Sequence, residues 1–349
     1  MAFTLPPCQR AWTYTTWGMP RQILTLADQF EVPSPPAKAD LIIRVSHVSL
    51  NPGCYITMNA IPPFVRRLIS GKTVYVPEGE FSGVVHLAGP AAPSHLQPGT
   101  RVFGSLPVST LFSGQGTLAE YIRLPANVVA VVPSSLNWAE ASGLSGGGLT
   151  AVCMLQEANI TPGTRIFING ASGGVGTMLL QLAKAQGAYI VATCSPRTKA
   201  LVKSLGADEV VDYRTHCPLP SFLAQNYAPF TYIFDTIGTQ ALFEGSPSYL
   251  LPSGLYINVG NFEGFGTAIW NAMRNSYLPK LFGGVPRRYL MVSTTPNAEK
   301  ATVLARVAEE GTVKVVVDEV FAFEDALKAY DRITERHAMG KVIIKVQDI

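Results

Sequence analysis

The stretch RIFINGASGGVGTMLLQLAKAQG (165–187) carries the reading of the fold. Its first six residues form an apolar run of strand length, and the pattern from Gly173 onward is an amphipathic helix that ends on Gly187. Between them Ala171, Gly173 and Gly176 spell A-x-G-x-x-G, with alanine at the first glycine place of the dinucleotide fingerprint. Gly173 lets the backbone approach a pyrophosphate and Gly176 lets the helix pack close to the strand. The first N–H groups and the dipole of the helix then favour the phosphates. Tight structural turns also collect glycines. The placement after an apolar strand and at the opening of a helix is what points to dinucleotide binding.

Working outward, AYIVATC (188–194), EVVDY (209–213), YIFDTIG (232–238) and LYINVG (255–260) read as strands, and TKALVKSLG (198–206) as a helix. Strands and helices alternating at this spacing imply right-handed crossovers and a parallel sheet. The expected unit is an α/β doubly wound domain over residues 127–296. Residues 1–126 have another texture, rich in Pro, Gly and β-branched residues. LIIRVSHVSL (41–50), FSGVVHLAG (81–89) and TRVFG (100–104) read as strands, with PFVRRLI (63–69) as the one helical interruption. Residues 297–349 add a helix (298–311), a strand (313–321), a short helix (324–333) and a final strand, KVIIKV (341–346).

The chain has 349 residues, a formal charge of +3, 47% hydrophobic and 15% charged residues. These values exclude a disordered chain and, with so small a charge and no run of five or six Lys/Arg, a dedicated nucleic-acid binder. Every window of about 18 apolar residues is broken by Pro, Gly or charge, which argues against a membrane helix. MAFTLPPCQR lacks the pattern of a secretory signal, so a cytoplasmic location is expected. Cys8, Cys54, Cys153, Cys194 and Cys217 are scattered, with no CxxC, and read as buried reduced thiols.

Cofactor choice is read after the second strand. An NAD site places an acid about twenty residues beyond the fingerprint. Here the segment is Thr193-Cys194-Ser195-Pro196-Arg197-Thr198-Lys199, with no acid before Asp208. A hydroxyl and two cations suit the 2′-phosphate of NADPH. An ordinary helix start, with Ser195 as its cap, is the alternative.

The chain resembles the medium-chain dehydrogenase/reductase superfamily in its zinc-free quinone oxidoreductase and enoyl reductase branch. The matching segments are VSLNPGCY (48–55), PEGEFSGVV (77–85), PGTRVFG (98–104), GTLAEYIRLP (116–125), SGGGLTA (145–151), NGASGGVG (169–176), GADEVVDY (206–213), INVGN (257–261) and GKVIIKV (340–346). They run in family order along nearly the whole chain. The resemblance implies a GroES-like catalytic domain (1–126 and 297–349) around a Rossmann domain (127–296) that binds NADPH.

In zinc alcohol dehydrogenases of the superfamily, a Cys stands where this chain has Asn51, a His where it has Gly79, and a Cys or Asp near Gly146. None of the three can supply a thiolate or imidazole, so no metal is expected. Without a Lewis acid, the implied chemistry is hydride delivery to a carbon activated by conjugation: an enone, a quinone or an α,β-unsaturated thioester. Tyr55 is the candidate proton donor, with a structural tyrosine as its alternative. Asn51 is a candidate partner of the cofactor or the substrate carbonyl.

The resemblance also implies that Ser172, Gly173, Gly174 and Val175 cradle the pyrophosphate. Ser195, Pro196, Arg197, Thr198 and Lys199 would hold the adenosine phosphate. Tyr213 would flank the adenine, or simply end its strand on the sheet. Thr150 and the backbone near Gly260 would lie beside the nicotinamide. Two other functions stay open. One is a trans-acting enoyl reductase that serves a polyketide synthase in secondary metabolism, with the aromatic and basic stretch 262–290 meeting a carrier-tethered substrate. The other is a non-catalytic NADPH-binding protein. The oligomeric state stays open, with a homodimer paired through the strand near MVST (291–294) as one reading; nucleic acid and membrane are not expected partners.

Overall fold

The structure, a computed structural model, describes residues 4–260 and 263–349. Residues 1–3, Asn261 at the end of INVGN and Phe262 at the head of 262–290 lie outside the described residues. The chain divides into two compact units, Met1–Leu149 with Thr295–Ile349, and Thr150–Thr294.

The first unit opens with β1 (Gln9–Thr13) and β2 (Thr25–Phe30), a two-stranded antiparallel sheet. It continues with β3 (Asp40–Leu50), β4 (Glu80–Ala88), β5 (Arg101–Ser105), β6 (Tyr121–Pro125) and β7 (Val129–Val131). The second unit contains β8 (Arg165–Asn169), β9 (Tyr189–Cys194), β10 (Glu209–Asp212), β11 (Phe230–Asp235), β12 (Leu250–Asn258) and β13 (Arg288–Met291). The chain then returns to the first unit with β14 (Val317–Ala322) and β15 (Lys341–Lys345).

The second unit is a six-stranded sheet in the order β10-β9-β8-β11-β12-β13, parallel at every pairing. This is the doubly wound order, and its crevice for ligands lies beyond the carboxyl ends of β8 and β11, where the winding reverses. Parallel strands are covered on both faces, so they read as continuous apolar runs. Ile166, Phe167 and Ile168 are accordingly fully buried. The helix Gly174–Ala185 buries Gly176 through Ala183.

The first unit holds a seven-stranded sheet, β14-β15-β3-β4-β5-β7, with β6 also pairing with β3. Its register decides the site. Leu50 of β3 pairs with Val342 of β15, and Ser49 pairs with Glu80 of β4. Asn51, Glu80 and Lys341 therefore arrive at the same end of three neighbouring strands.

Several expectations are corrected. PFVRRLI is not the one helix of the N-terminal part: helices also span Pro20–Ile23, Pro52–Met58 and Val108–Phe112. Two of these open on a proline, which reads as a breaker yet suits the first helical turn, where its missing N–H costs nothing. SGGGLTA lies inside a helix, Trp138–Gln156, that glycine propensity disfavours by about 1 kcal/mol per residue. Close approach explains two of these glycines: a Cβ at Gly146 would stand 1.6 Å from Glu80 Oε1, and one at Gly148 would stand 3.0 Å from Leu304. The strand expected from 313 begins at Val317, and the strand expected at MVST ends at Met291, on the edge of the parallel sheet. Cys153 and Cys194 are buried, but Cys217 is exposed and Cys8 and Cys54 are half-buried. No disulfide joins any of the described cysteines. Among the described residues no helix is long and apolar enough to cross a membrane.

Candidate active site

In the second unit, β8 ends at Asn169 and the chain turns through Gly170, whose φ of +82° is left-handed. The tight turn that the fingerprint assigns to its first glycine is therefore made one residue before Ala171. Two of its neighbours show why small residues follow. A Cβ at Gly176 would lie 2.2 Å from Gly170 O, which forces glycine there. A Cβ at Gly173 would meet only Gly170 O, at 3.6 Å, so its outer face is open for a ligand's phosphates. Ser172, Gly173, Gly174 and Val175 are partly exposed around this opening.

A buried network underlies the turn. Gly170 N–H donates to Thr193 Oγ1 (2.9 Å), Thr193 to Asn169 Oδ1 (2.8 Å), and Asn169 Nδ2 to Asp235 Oδ1 (2.9 Å). Asp235 also accepts from the main-chain N–H groups of Ile237, Gly238 and Thr239 and from the Tyr256 hydroxyl. One fully buried carboxylate thus ties together the ends of β8, β9, β11 and β12. The sequence reading missed it, because YIFDTIG shows no sign that its Asp points inward. Gly260 belongs to the same crevice: a Cβ there would lie 2.1 Å from the carbonyl carbon of Ile237.

At the adenosine end, Ser195, Pro196 and Lys199 line a cavity with Cys194, Val210, Asp212, Thr215 and His216. Arg197 and Tyr213 are exposed and are not among these lining residues. Thr198 is buried, and its hydroxyl donates to Ser195 O, so it shapes the turn. An acid does line this cavity further along the chain: Asp212, whose two oxygens accept from Arg214 N–H and from the Thr215 hydroxyl. Those two bonds hold its carboxyl below the usual range. Thr150, on the helix Trp138–Gln156, pairs its hydroxyl with that of Thr294 at 3.1 Å. The open glycine face and the cavity with Ser195 and Lys199 fit a nicotinamide dinucleotide.

In the first unit, Asn51 is the N-cap of the helix Pro52–Met58, yet its side chain does not cap it. Instead, Nδ2 donates to Glu80 Oε1, and Oδ1 accepts from Lys341 Nζ at 2.7 Å. Lys341 Nζ also stands 3.0 Å from Glu80 Oε2, an ion-pair contact without hydrogen-bond alignment. Lys341 and Glu80 are 2% and 4% exposed, so each charge depends on the other. One N–H of the Asn51 amide remains beyond the bond to Glu80. Tyr55, on the same helix, packs partly against the core of this unit.

This cluster tests the zinc question directly. It offers one carboxylate, one amide and an ammonium, where a zinc site needs thiolate or imidazole donors. The ammonium and the carboxylate fill the space between Asn51 and Gly146. Among the described residues no group of three His, Cys, Asp or Glu side chains is placed to hold a metal. The residues present do not fit zinc.

Comparison with known proteins agrees with this architecture. A family profile described as zinc-binding dehydrogenase matches residues 205–344. The chain is 36% identical to medium chain reductase pydE of an Acremonium species, covering 97% of this chain and 98% of the relative. It is also 36% identical to trans-enoyl reductase poxH of Penicillium oxalicum, with the same coverage. Among solved structures, a quinone oxidoreductase from Coxiella burnetii superposes with a TM-score of 0.82 at 24% identity, over 97% of this chain and 99% of its own.

Proposed function

Because the chain belongs to the medium-chain dehydrogenase/reductase superfamily and is an oxidoreductase that uses a nicotinamide cofactor, we propose that it reduces an activated C=C bond with NADPH and without zinc. The observation that carries this reading is the Asn51–Glu80–Lys341 cluster: a buried ammonium stands among the residues at the metal-ligand places, so the alcohol chemistry of a zinc centre has no support here.

When bound, NADPH supplies the hydride. The main-chain groups from Ser172 to Val175 and the opening of the helix Gly174–Ala185 bind its pyrophosphate. Ser195, Arg197 and Lys199 receive the 2′-phosphate, and an acid that would oppose it is absent from that turn. Pro196 and Thr198 set the shape of this turn, and Tyr213 would flank the adenine. Thr150 and the backbone at Gly260 would flank the nicotinamide. Asn51 keeps one amide N–H for the carbonyl of the acceptor, and the Tyr55 hydroxyl gives the proton that completes the reduction.

Among acceptors, the name trans-enoyl reductase borne by one relative favours an enoyl group, and the acceptor in this reading is an α,β-unsaturated thioester carried by a partner synthase, as in secondary metabolism. The test is NADPH consumption against a panel of enones, quinones and enoyl thioesters, free and carrier-bound, with cofactor deuterated at nicotinamide C4. Deuterium at the β-carbon of the product is the expected result. Turnover without that label overturns hydride transfer, and no turnover on any acceptor supports the non-catalytic alternative.

A further inference from the structure

Glu78 is the one buried residue among three described non-glycine residues with positive φ; Lys38 and Arg336 are exposed. Its φ of +68° is left-handed backbone, which costs a residue with a Cβ roughly 1–2 kcal/mol and glycine nothing. Such a conformation persists where the surroundings over-determine it. Here the surroundings are two hydrogen-bond donors and a thiol around one carboxyl group. The main-chain N–H of Asn51 donates to Oε2 at 3.3 Å, and the Tyr330 hydroxyl donates to Oε1 at 2.7 Å. The Cys54 thiol lies beside the same carboxyl. Burial pushes both the Tyr330 hydroxyl and the Cys54 thiol well above their usual ranges, so both stay protonated beside the carboxyl.

These groups come from separate pieces of chain. Asn51 and Cys54 start the helix Pro52–Met58, and Tyr330 lies on the helix Ala326–Thr334. Asn51 is thereby held twice, at its main chain by Glu78 and at its amide by Glu80 two residues later. A carboxylate that served packing alone would gain nothing from a left-handed backbone. One that must reach Asn51, Cys54 and Tyr330 together needs that backbone to aim it.

We propose that Glu78 is the positioning residue of the helix Pro52–Met58, fixing the direction in which Asn51 and Tyr55 are presented. The proposal rests on the reductase reading above for its effect on turnover, and on the structure alone for the anchoring.

The experiment compares Glu78→Gly, Glu78→Gln and Tyr330→Phe with the unmodified protein by hydrogen exchange, NADPH binding and turnover on whichever acceptor is reduced. In Glu78→Gly, the amides of residues 53–58 should exchange at least about tenfold faster while those of 81–88 keep their protection. Its kcat should fall about ten- to hundredfold, as expected for a displaced reacting group, with NADPH affinity unchanged. Glu78→Gln, which keeps an acceptor for Asn51, should recover most of both. Unchanged exchange at 53–58 in Glu78→Gly overturns the anchoring. Should that variant fail to fold, Tyr330→Phe takes its place, with faster exchange at 53–58 expected and unchanged exchange overturning the proposal. A protein that reduces no acceptor fails the reductase reading, while the exchange result still decides the role of Glu78.

Discussion

Lys341 Nζ lies 2.7 Å from Asn51 Oδ1, across a separation of 290 residues, at the end of strands that bring Glu80 beside them. The relationship makes the cluster a closed charge pair inside the protein. Removing one member leaves the other buried and unpaired.

Lys341→Met should therefore lower the unfolding free energy by about 3–5 kcal/mol at neutral pH, the usual cost of breaking a buried pair. The double variant Lys341→Met/Glu80→Gln should regain much of it, because no charge is then left behind. Urea denaturation of the four proteins of the cycle measures both. Elemental analysis of protein purified without chelator should find well under one zinc per chain; about one zinc, lost together with activity, would refute the fit argued from these residues.

Replacing Arg197 and Lys199 together by Ala should weaken NADPH by about a hundred- to ten-thousandfold, since two charge-assisted bonds to the 2′-phosphate are lost and each contributes about 1.5–3 kcal/mol. NADH, which lacks that phosphate, should bind almost as before. Calorimetry with both cofactors decides the matter, and equal losses would sink the NADPH assignment.

What the sequence reveals follows from how local each signal is. The strand, loop and helix of 165–187 are legible because the apolar run and the glycine spacing lie within one window, although the left-handed turn falls on Gly170 and not at Ala171. The helix Trp138–Gln156 is hidden because Gly143, Gly146 and Gly148 oppose helix locally, while Gly146 is required by Glu80 and the other two lie close against Val315 and Leu304, which are distant in sequence. Lys341 and Asp235 could not be placed, since their partners are set by strand order and register. Glu78 is equally silent in sequence: nothing in PEGEF marks which glutamate carries a left-handed backbone.

Tyr55→Phe separates chemistry from packing. A positioned proton donor contributes about 10²–10⁴-fold, so kcat should fall by that order while the KM for NADPH stays near its value. Intact turnover would assign the proton to water and leave Tyr55 with its packing against the core.

Asp235→Ala should destabilise the second unit by about 3 kcal/mol, because it strips several buried donors of their acceptor and each orphan costs about 1–3 kcal/mol before relaxation. Affinity for the cofactor should drop as well, since the turn at Gly170 is held through Thr193 and Asn169. A denaturation midpoint equal to that of the unmodified protein would remove Asp235 from its place as the hub.

The pH dependence of stability tests two buried groups that work against each other. Burial pushes the Glu78 carboxyl up from 4.5 to about 7. The folded protein then holds this proton more tightly than the unfolded chain does, so the contribution is fully present below about pH 4.5 and lost as pH rises through 7. Burial, assisted by Lys345, brings His47 down from 6.5 to about 4. Its sign is the reverse: the contribution is present above about pH 6.5 and lost as pH falls through 4. Between pH 4.5 and 6.5 the two slopes oppose, and single substitutions should uncover each. In Glu78→Gln, the urea midpoint should climb with pH across this window more steeply than in the unmodified protein. In His47→Gln it should fall relative to it. Midpoints at pH 4.5, 5.5 and 6.5 suffice, and two variants that run parallel to the parent would show that neither group titrates as its burial requires.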